Sequence, residues 1–229
     1  MRRRRRRLTG FVSPEVAYFA TVYPVRTRTG ELTQSSFDPM RDAHLARLAR
    51  RFAHGVNRPR LLDVGCGYGY VLERLTDRFE AYGMDISPHA VEIAEIGATD
   101  GAVAVGDIER GIPFDGPFDV VLAVNILEHL RDPGGGIDEI VDALAPGGTV
   151  IVHLPTINNA VTARAYRALY ENDPTHVYRP SGREIRAAFE RRGLSTIRES
   201  YWPHAPAGFW RHVRLHPAYL AVFGWRGNG

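Results

Sequence analysis

The chain of 229 residues contains no lysine, so all 29 of its basic residues are arginine. That uniformity reads as a compositional bias rather than a demand for bidentate contacts everywhere. Its one cysteine, Cys66, excludes an internal disulfide and a cysteine-rich metal site, and fits a reducing cytoplasm. Long apolar runs are missing as well. Pro14, Glu15 and Pro24 break the stretch LTGFVSPEVAYFATVYPV, so neither a signal-peptide core nor a membrane span is expected there. A basic face is also lacking: Arg2 to Arg7 supply six positive charges, and the rest of the chain carries a formal charge of −3. A positive arm on a slightly acidic body can attract phosphate, but it cannot spread phosphate contacts over a domain, so nucleic acid is not the expected partner. The arginine run is expected to be solvated and disordered.

What is present is an alternation. Residues 1–37 read as an arm and lead-in, and DPMRDAHLARLARRFAHG then gives a helix opened by Asp38-Pro39 and closed by Gly55. From there short apolar strands (RLLDV, AYGMDI, AVAVGD, FDVVLAVN, TVIVHLP) alternate with amphipathic helices (YVLERLTDRF, SPHAVEIAEIG, GIDEIVDALAPG). Apolar strands interleaved with helices predict an α/β domain over 38–229, a doubly wound, mostly parallel sheet covered on both faces. Ser87-Pro88 marks a helix start, and APGG marks a helix stop. An insertion at about 155–180, with a helix near Ala160 to Tyr170, follows a strand's carboxyl end, where open α/β sheets bind ligands, and is expected to be a lid. A helix follows Ser181, and strands are expected near Ser195–Tyr201 and Tyr219–Trp225.

The chemistry begins at RLLDVGCGYGYVLERL. Gly65, Gly67 and Gly69 lack the Cβ atoms that would keep a ligand away from the main-chain N–H groups. A glycine loop alone also suits nicotinamide and flavin cofactors. Here, however, the third glycine comes one residue early and Asp63 precedes the loop. A carboxylate there repels a pyrophosphate but accepts hydrogen bonds from an ammonium group. Asp85, ending the second strand 22 residues later, stands where an acidic side chain accepts ribose hydroxyls. Asp107, ending the third, can accept from an adenine amino group, with Ile108 flanking the ring. Amino acid, ribose and adenine together describe S-adenosylmethionine.

At these motifs the sequence resembles the class I S-adenosylmethionine-dependent methyltransferases, of the small-molecule and ubiquinone-biosynthesis O-methyltransferase type. LLDVGCGYG, GMDIS, VGDIE, FDVVLAVNILEHLRDP and LAPGGTVIVHLP fall in that family's order and spacing. The resemblance implies a Rossmann-like sheet of seven strands with an antiparallel C-terminal strand and a helical lid. It also implies that Asp63, Gly65, Cys66 and Gly67 line the methionine end, that Asp85 and Ile86 hold ribose and adenine, and that Asp107 and Ile108 complete the adenine site. Asn125 matches the position whose backbone faces the methionine portion.

A sulfonium donor leaves the protein mainly to align a nucleophile, and a general base is optional. Three candidates stand on the acceptor side. Glu128 and His153 lie at neighbouring strand ends, an arrangement similar to that of the mycolic-acid cyclopropane synthases. His176, in ENDPTHVYRPSGREI, resembles the threonine-histidine stretch beside the acceptor pocket of ubiquinone-biosynthesis O-methyltransferases. Each has a plainer reading: His153 as a hydrogen-bonded wall residue, Glu128 as a helix-start charge, and His176 with Asp173 and Thr175 as a loop cap. His204, His212 and His216 do not match a metal-ligand spacing, and no required metal is expected. The expected partner is a small-molecule methyl acceptor, and the expected protein is a cytoplasmic monomer or homodimer. An RNA or protein methyltransferase and a noncatalytic S-adenosylmethionine-binding regulator are the alternatives.

Overall fold

A computed structural model describes residues 38–53, 55, 57–95, 101–201 and 212–226. The arm and lead-in at 1–37 lie outside the described residues, as does all of 202–211 in the His- and aromatic-rich tail. The chain divides into two units, Met1–Asp38 and Pro39–Gly229, and the second carries the sheet.

Helix α1 (Asp38–Phe52) leads into β1 (Arg60–Val64), α2 (Tyr70–Glu73), β2 (Glu80–Asp85), α3 (Pro88–Glu95), β3 (Gly101–Val105), β4 (Phe118–Val124) and α4 (Pro133–Asp142). Then come β5 (Leu144–Pro155), α5 (Ala160–Leu169), α6 (Gly182–Arg191), β6 (Leu194–Ser200) and β7 (Ala218–Trp225). The seven strands form one sheet in the order β3-β2-β1-β4-β5-β7-β6, with β7 antiparallel to both of its neighbours and the other pairs parallel.

The period-two alternation of strand side chains divides the apolar residues between two cores. Leu61, Val120, Leu122, Ile151 and Val222 point to one face, where they join Leu45 and Ala49 of α1, Leu72, and Val91 of α3. Leu62, Val64, Val121, Val150, Val152 and Phe223 point to the other, where they meet Ile137 and Ile140 of α4 and Phe189 of α6. A strand apolar at every position is thus one that packs helices on both faces, which is why RLLDV and FDVVLAV contain so few polar residues.

Punctuation sets the helix starts. Ser87 Oγ accepts from Ala90 N at 3.1 Å, and Asp132 caps α4 with Pro133 at its first position. Reciprocal capping boxes open α5 (Asn159 with Thr162) and α6 (Ser181 with Glu184).

Two boundaries differ from the sequence expectation. The helix expected over YVLERLTDRF is regular only from Tyr70 to Glu73, after which Arg74 N and Leu75 N bond three residues back. Leu75 and Phe79, both fully buried, keep the helical spacing while the backbone tightens into turns. Similarly, APGG is not the end of a helix. The helix stops at Asp142 and β5 starts at Leu144, with a bulge between the Leu144–Phe118 and Thr149–Val120 pairs that accommodates Pro146, a residue with no N–H to donate.

Candidate functional site

The carboxyl ends of β1, β2, β4 and β5 lie side by side, and they carry Asp63, Asp85, Asn125 and His153 to one edge of the sheet. β1 then turns through Gly65, whose N–H, like that of Cys66, bonds Met84 O at the end of β2, at 2.8 and 2.9 Å. Gly65 has φ 74°, and a Cβ there would stand 2.9–3.1 Å from Ile126. Gly67 is also left-handed, at φ 53°, but nothing among the described residues lies within 4 Å of where its Cβ would be. The first glycine is thus demanded by the protein's own packing, whereas the second leaves open backbone beside the loop.

Two aspartates flank that opening in different states. Asp85 is satisfied: its Oδ2 accepts from Gly67 N at 2.9 Å and its Oδ1 from Ser87 N at 3.0 Å. Asp63 is 2% exposed and its Oδ1 has no hydrogen-bond partner among the described residues. Burial, then the neighbouring Asp42 and Asp85, push its pKa up to about 8, against a smaller opposing effect of Arg41. A buried carboxyl with an orphaned oxygen costs free energy until a donor arrives. Cys66 is buried beside it, and its thiol is pushed well above the ordinary range by burial and then by Asp63 and Asp85. This thiol is no nucleophile at neutral pH.

Where the sequence places the adenine, Ile86 is 67% exposed. Asp107 caps the 3-10 turn Ile108–Arg110 by accepting from Glu109 N at 3.0 Å, and keeps its side chain partly exposed. Ile108 is 4% exposed, and its side chain belongs to the core that also holds Leu130 and Ile137.

On the acceptor side, Asn125 stands at φ 51°, a conformation uncommon for a non-glycine residue and most tolerated by Asn or Asp. It is held there by its N–H, which donates to His153 O at 2.7 Å. Its Oδ1 lies 2.9 Å from His153 Nδ1. A carbonyl oxygen only accepts, so Nδ1 carries the proton and Nε2 of this buried imidazole carries the lone pair.

A second cluster surrounds Glu128 in the 3-10 turn Leu127–His129. Glu128 is 1% exposed, its Oε2 has no hydrogen-bond partner among the described residues, and burial followed by Asp173 pushes its pKa up to about 8. One ligand atom from each of Glu128, His129 and His176 lies within 4.8 Å of the others. His176 Nδ1 lies 3.1 Å from the hydroxyl of Tyr166 in α5, and its Nε2 lies 3.6 Å from Asp173 Oδ2. Burial lowers the pKa of both imidazoles. Asp173 is itself held low: burial opposes ionisation, but the hydroxyl and N–H of Thr175 and the two imidazoles outweigh it.

All of the residues picked from sequence stand near strand ends or in the turns that follow them, except His176, which the 160–180 segment folds back toward Glu128. Arg41 and Asp42 were missed. They form an ion pair at 2.9 Å on α1, and both bear electrostatically on Asp63. A signal was available: Asp42 stands three, four and seven residues before Leu45, Ala46 and Ala49, an acidic residue on the buried stripe of a helix. No metal ligands were expected from the sequence, where the spacing of His204, His212 and His216 matches no ligand pattern, whereas the fold draws Glu128 and His129 together with His176, 47 residues on from His129.

Known proteins share this architecture. An S-adenosylmethionine-dependent methyltransferase from Clostridium acetobutylicum superposes with a TM-score of 0.65 at 12% identity, covering 92% of this chain and 97% of its own. Magnesium protoporphyrin IX methyltransferase from Synechocystis, solved with S-adenosylhomocysteine bound, gives 0.62 at 15% identity over 94% and 96%. Both likenesses concern the fold. In sequence, the ubiquinone biosynthesis O-methyltransferase of Burkholderia cenocepacia is 26% identical over 190 residues, 80% of this chain and 75% of that protein. Ajmaline N-methyltransferase of Rauvolfia serpentina is 36% identical over 100 residues, 40% of this chain and 34% of that protein. The chain spans between a third and a half of the length of the first curated relatives it matches. Residues 37–199, from the start of α1 almost to the end of β6, match the methyltransferase-domain model, and the chain belongs to that family.

Proposed function

We propose that the chain moves a methyl group from S-adenosylmethionine to an oxygen or nitrogen of a small-molecule acceptor. The observation that carries the cofactor assignment is Asp63 Oδ1, buried and unpartnered next to the open backbone of Gly67. That oxygen fits an ammonium donor and opposes a phosphate. Asp63 would hold the amino group, with Gly65, Cys66 and Gly67 lining the methionine end. Asp85 would accept from the ribose with the lone pairs its two backbone bonds leave over. Ile86, Asp107 and the backbone of Ile108, whose side chain lies in the core, would border the adenine, and Asn125 the methionine portion. When bound, S-adenosylmethionine supplies a methyl carbon already activated by its sulfonium.

The remaining chemistry falls to the acceptor side. Asn125 fixes His153 with Nδ1 protonated, so Nε2 is the atom to receive the acceptor's proton as its oxygen or nitrogen attacks. Glu128 and His176, from the turn after β4 and the segment after α5, would border the acceptor. Residues 155–180 would act as a lid that excludes water. The relatives support small acceptors on either heteroatom, since their names record O- and N-methylation. A panel of small phenols, carboxylates and amines, assayed for label transferred from methyl-labelled S-adenosylmethionine, tests the reading. Transfer to at least one, lowered about 10²-fold or more in His153→Ala, is expected. Transfer only to protein or RNA would overturn it.

A further inference from the structure

We infer that Glu128, His129 and His176 form a site for one late first-row divalent metal ion of the zinc class. Two imidazoles and a carboxylate are a donor set suited to such ions, and three protein ligands leave a position open. The ligand atoms lie within 4.8 Å of one another. A tetrahedral ion with bonds of about 2.0–2.1 Å holds its ligands roughly 3.3–3.4 Å apart, so rotation of the side chains closes the site.

Two features beyond proximity point to an ion. The first is Glu128 itself, 1% exposed, with an oxygen that no donor among the described residues satisfies. The second is the support behind His129. Thr175 Oγ1 lies 2.8 Å from His129 Nδ1 and donates its one hydrogen to Asp173 Oδ1. With that hydrogen spent on a carboxylate, Thr175 can only accept from His129, which places the proton on Nδ1 and the lone pair on Nε2. An acceptor on the outer nitrogen that fixes a histidine's tautomer, here the Thr175 hydroxyl backed by Asp173, is the kind of support that orients metal-binding histidines. At His176 the Tyr166 hydroxyl lies 3.1 Å from Nδ1, while Asp173 Oδ2, 3.6 Å from Nε2, is beyond hydrogen-bond distance and leaves that nitrogen for an ion.

Charge also favours a cation. Glu128 and Asp173 face the cluster, and Arg41, the cation felt at Glu128, is already paired with Asp42. An ion held here would keep a coordination position for water or an acceptor oxygen and would lower its pKa. That last role rests on the methyl-transfer reading, whereas ion binding does not.

The test is titration of the full chain with Co²⁺, followed by absorption spectroscopy, and Zn²⁺ content by elemental analysis after dialysis. One ion per chain is expected, with the visible bands of a low-coordinate cobalt site. Affinity should fall about 100-fold or more in His129→Ala and in His176→Ala. Thr175→Val keeps all three ligands but removes the support of His129, and should weaken binding about 10- to 100-fold. Circular dichroism and thermal melts without metal report whether each variant folds. Binding that is equal in wild type and both histidine variants would place the ion elsewhere, such as on His204, His212 and His216, and overturn the inference. Failure to retain any ion would overturn it too. Methyl transfer plays no part in these readouts, so either reading can fail alone.

Discussion

Asp63 makes cofactor affinity depend on pH in a direction that can be worked out in advance. Its carboxyl has a pKa raised from 3.8 to about 8 in the ligand-free chain, so it is mostly protonated at pH 6–7. Holding an ammonium requires the carboxylate, so the pKa must fall on binding and a proton must leave. Binding that releases a proton strengthens as pH rises, up to the ligand-free pKa. The limit is tenfold per pH unit, about 1.4 kcal/mol, or roughly 100-fold between pH 6 and 8. Above about pH 8 the ligand's own amino group begins to lose its charge, and the gain should stop. Calorimetry with S-adenosylhomocysteine in buffers of different ionisation enthalpy measures both quantities. Wild type should tighten from pH 6 to 8 while releasing close to one proton near pH 6.5. Asp63→Asn should bind more weakly at pH 8 and lose most of the slope. Glu128 titrates in the same range, so Glu128→Gln serves as the control and should keep the slope. A flat wild-type profile, or an unchanged slope in Asp63→Asn, would refute the reasoning.

The same carboxyl should govern stability. A folded-state pKa above the unfolded one favours the native state when protonated, so the ligand-free chain should lose stability as pH rises from about 4 toward 8, by at most about 1.4 kcal/mol per unit from this group. Asp63→Asn should flatten that part of a denaturation profile, and a steeper loss in the variant would contradict the assignment. Asp85→Ala removes the acceptor of Gly67 N and Ser87 N and, on the proposed reading, that of the ribose hydroxyls. At about 1–3 kcal/mol per stranded donor, cofactor affinity should fall 100-fold or more, checked by equilibrium dialysis. His153→Ala should lower kcat far more than cofactor affinity, and Asn125→Ala should follow it in part by releasing Nδ1; an unchanged kcat in single-turnover assays would remove the base role. Deleting Arg2 to Arg7 should leave turnover of a small acceptor unchanged, and a large loss would show that the arm takes part.

The fold was legible because its determinants are local and repeated. Strands such as RLLDV and FDVVLAV are apolar at nearly every position, and only a sheet covered on both faces asks for that. The placement of the proposed cofactor-side carboxylates was legible for a related reason: each sits where its strand ends, so the pattern lies along the chain. Ile108 shows the limit, since periodicity marks it apolar but cannot say whether it faces a ligand or the core. The acceptor side was legible only in fragments. Glu128 and His153 fall at strand ends, but the contact of Glu128 and His129 with His176 depends on how α5 and the turn at Asp173–Thr175 fold back. Likewise Arg41 reaches Asp63 only because α1 packs against the sheet. Such contacts are set by tertiary packing and leave no spacing in the sequence.

The central claim is that the glycine loop and its flanking carboxylates form an S-adenosylmethionine site. Calorimetric titration of the full chain with S-adenosylmethionine at pH 8 tests it most directly. One molecule bound per chain, at an affinity that Asp63→Asn and Asp85→Ala both weaken, is the predicted result. No heat of binding at millimolar ligand, from protein whose folding circular dichroism confirms, would contradict it.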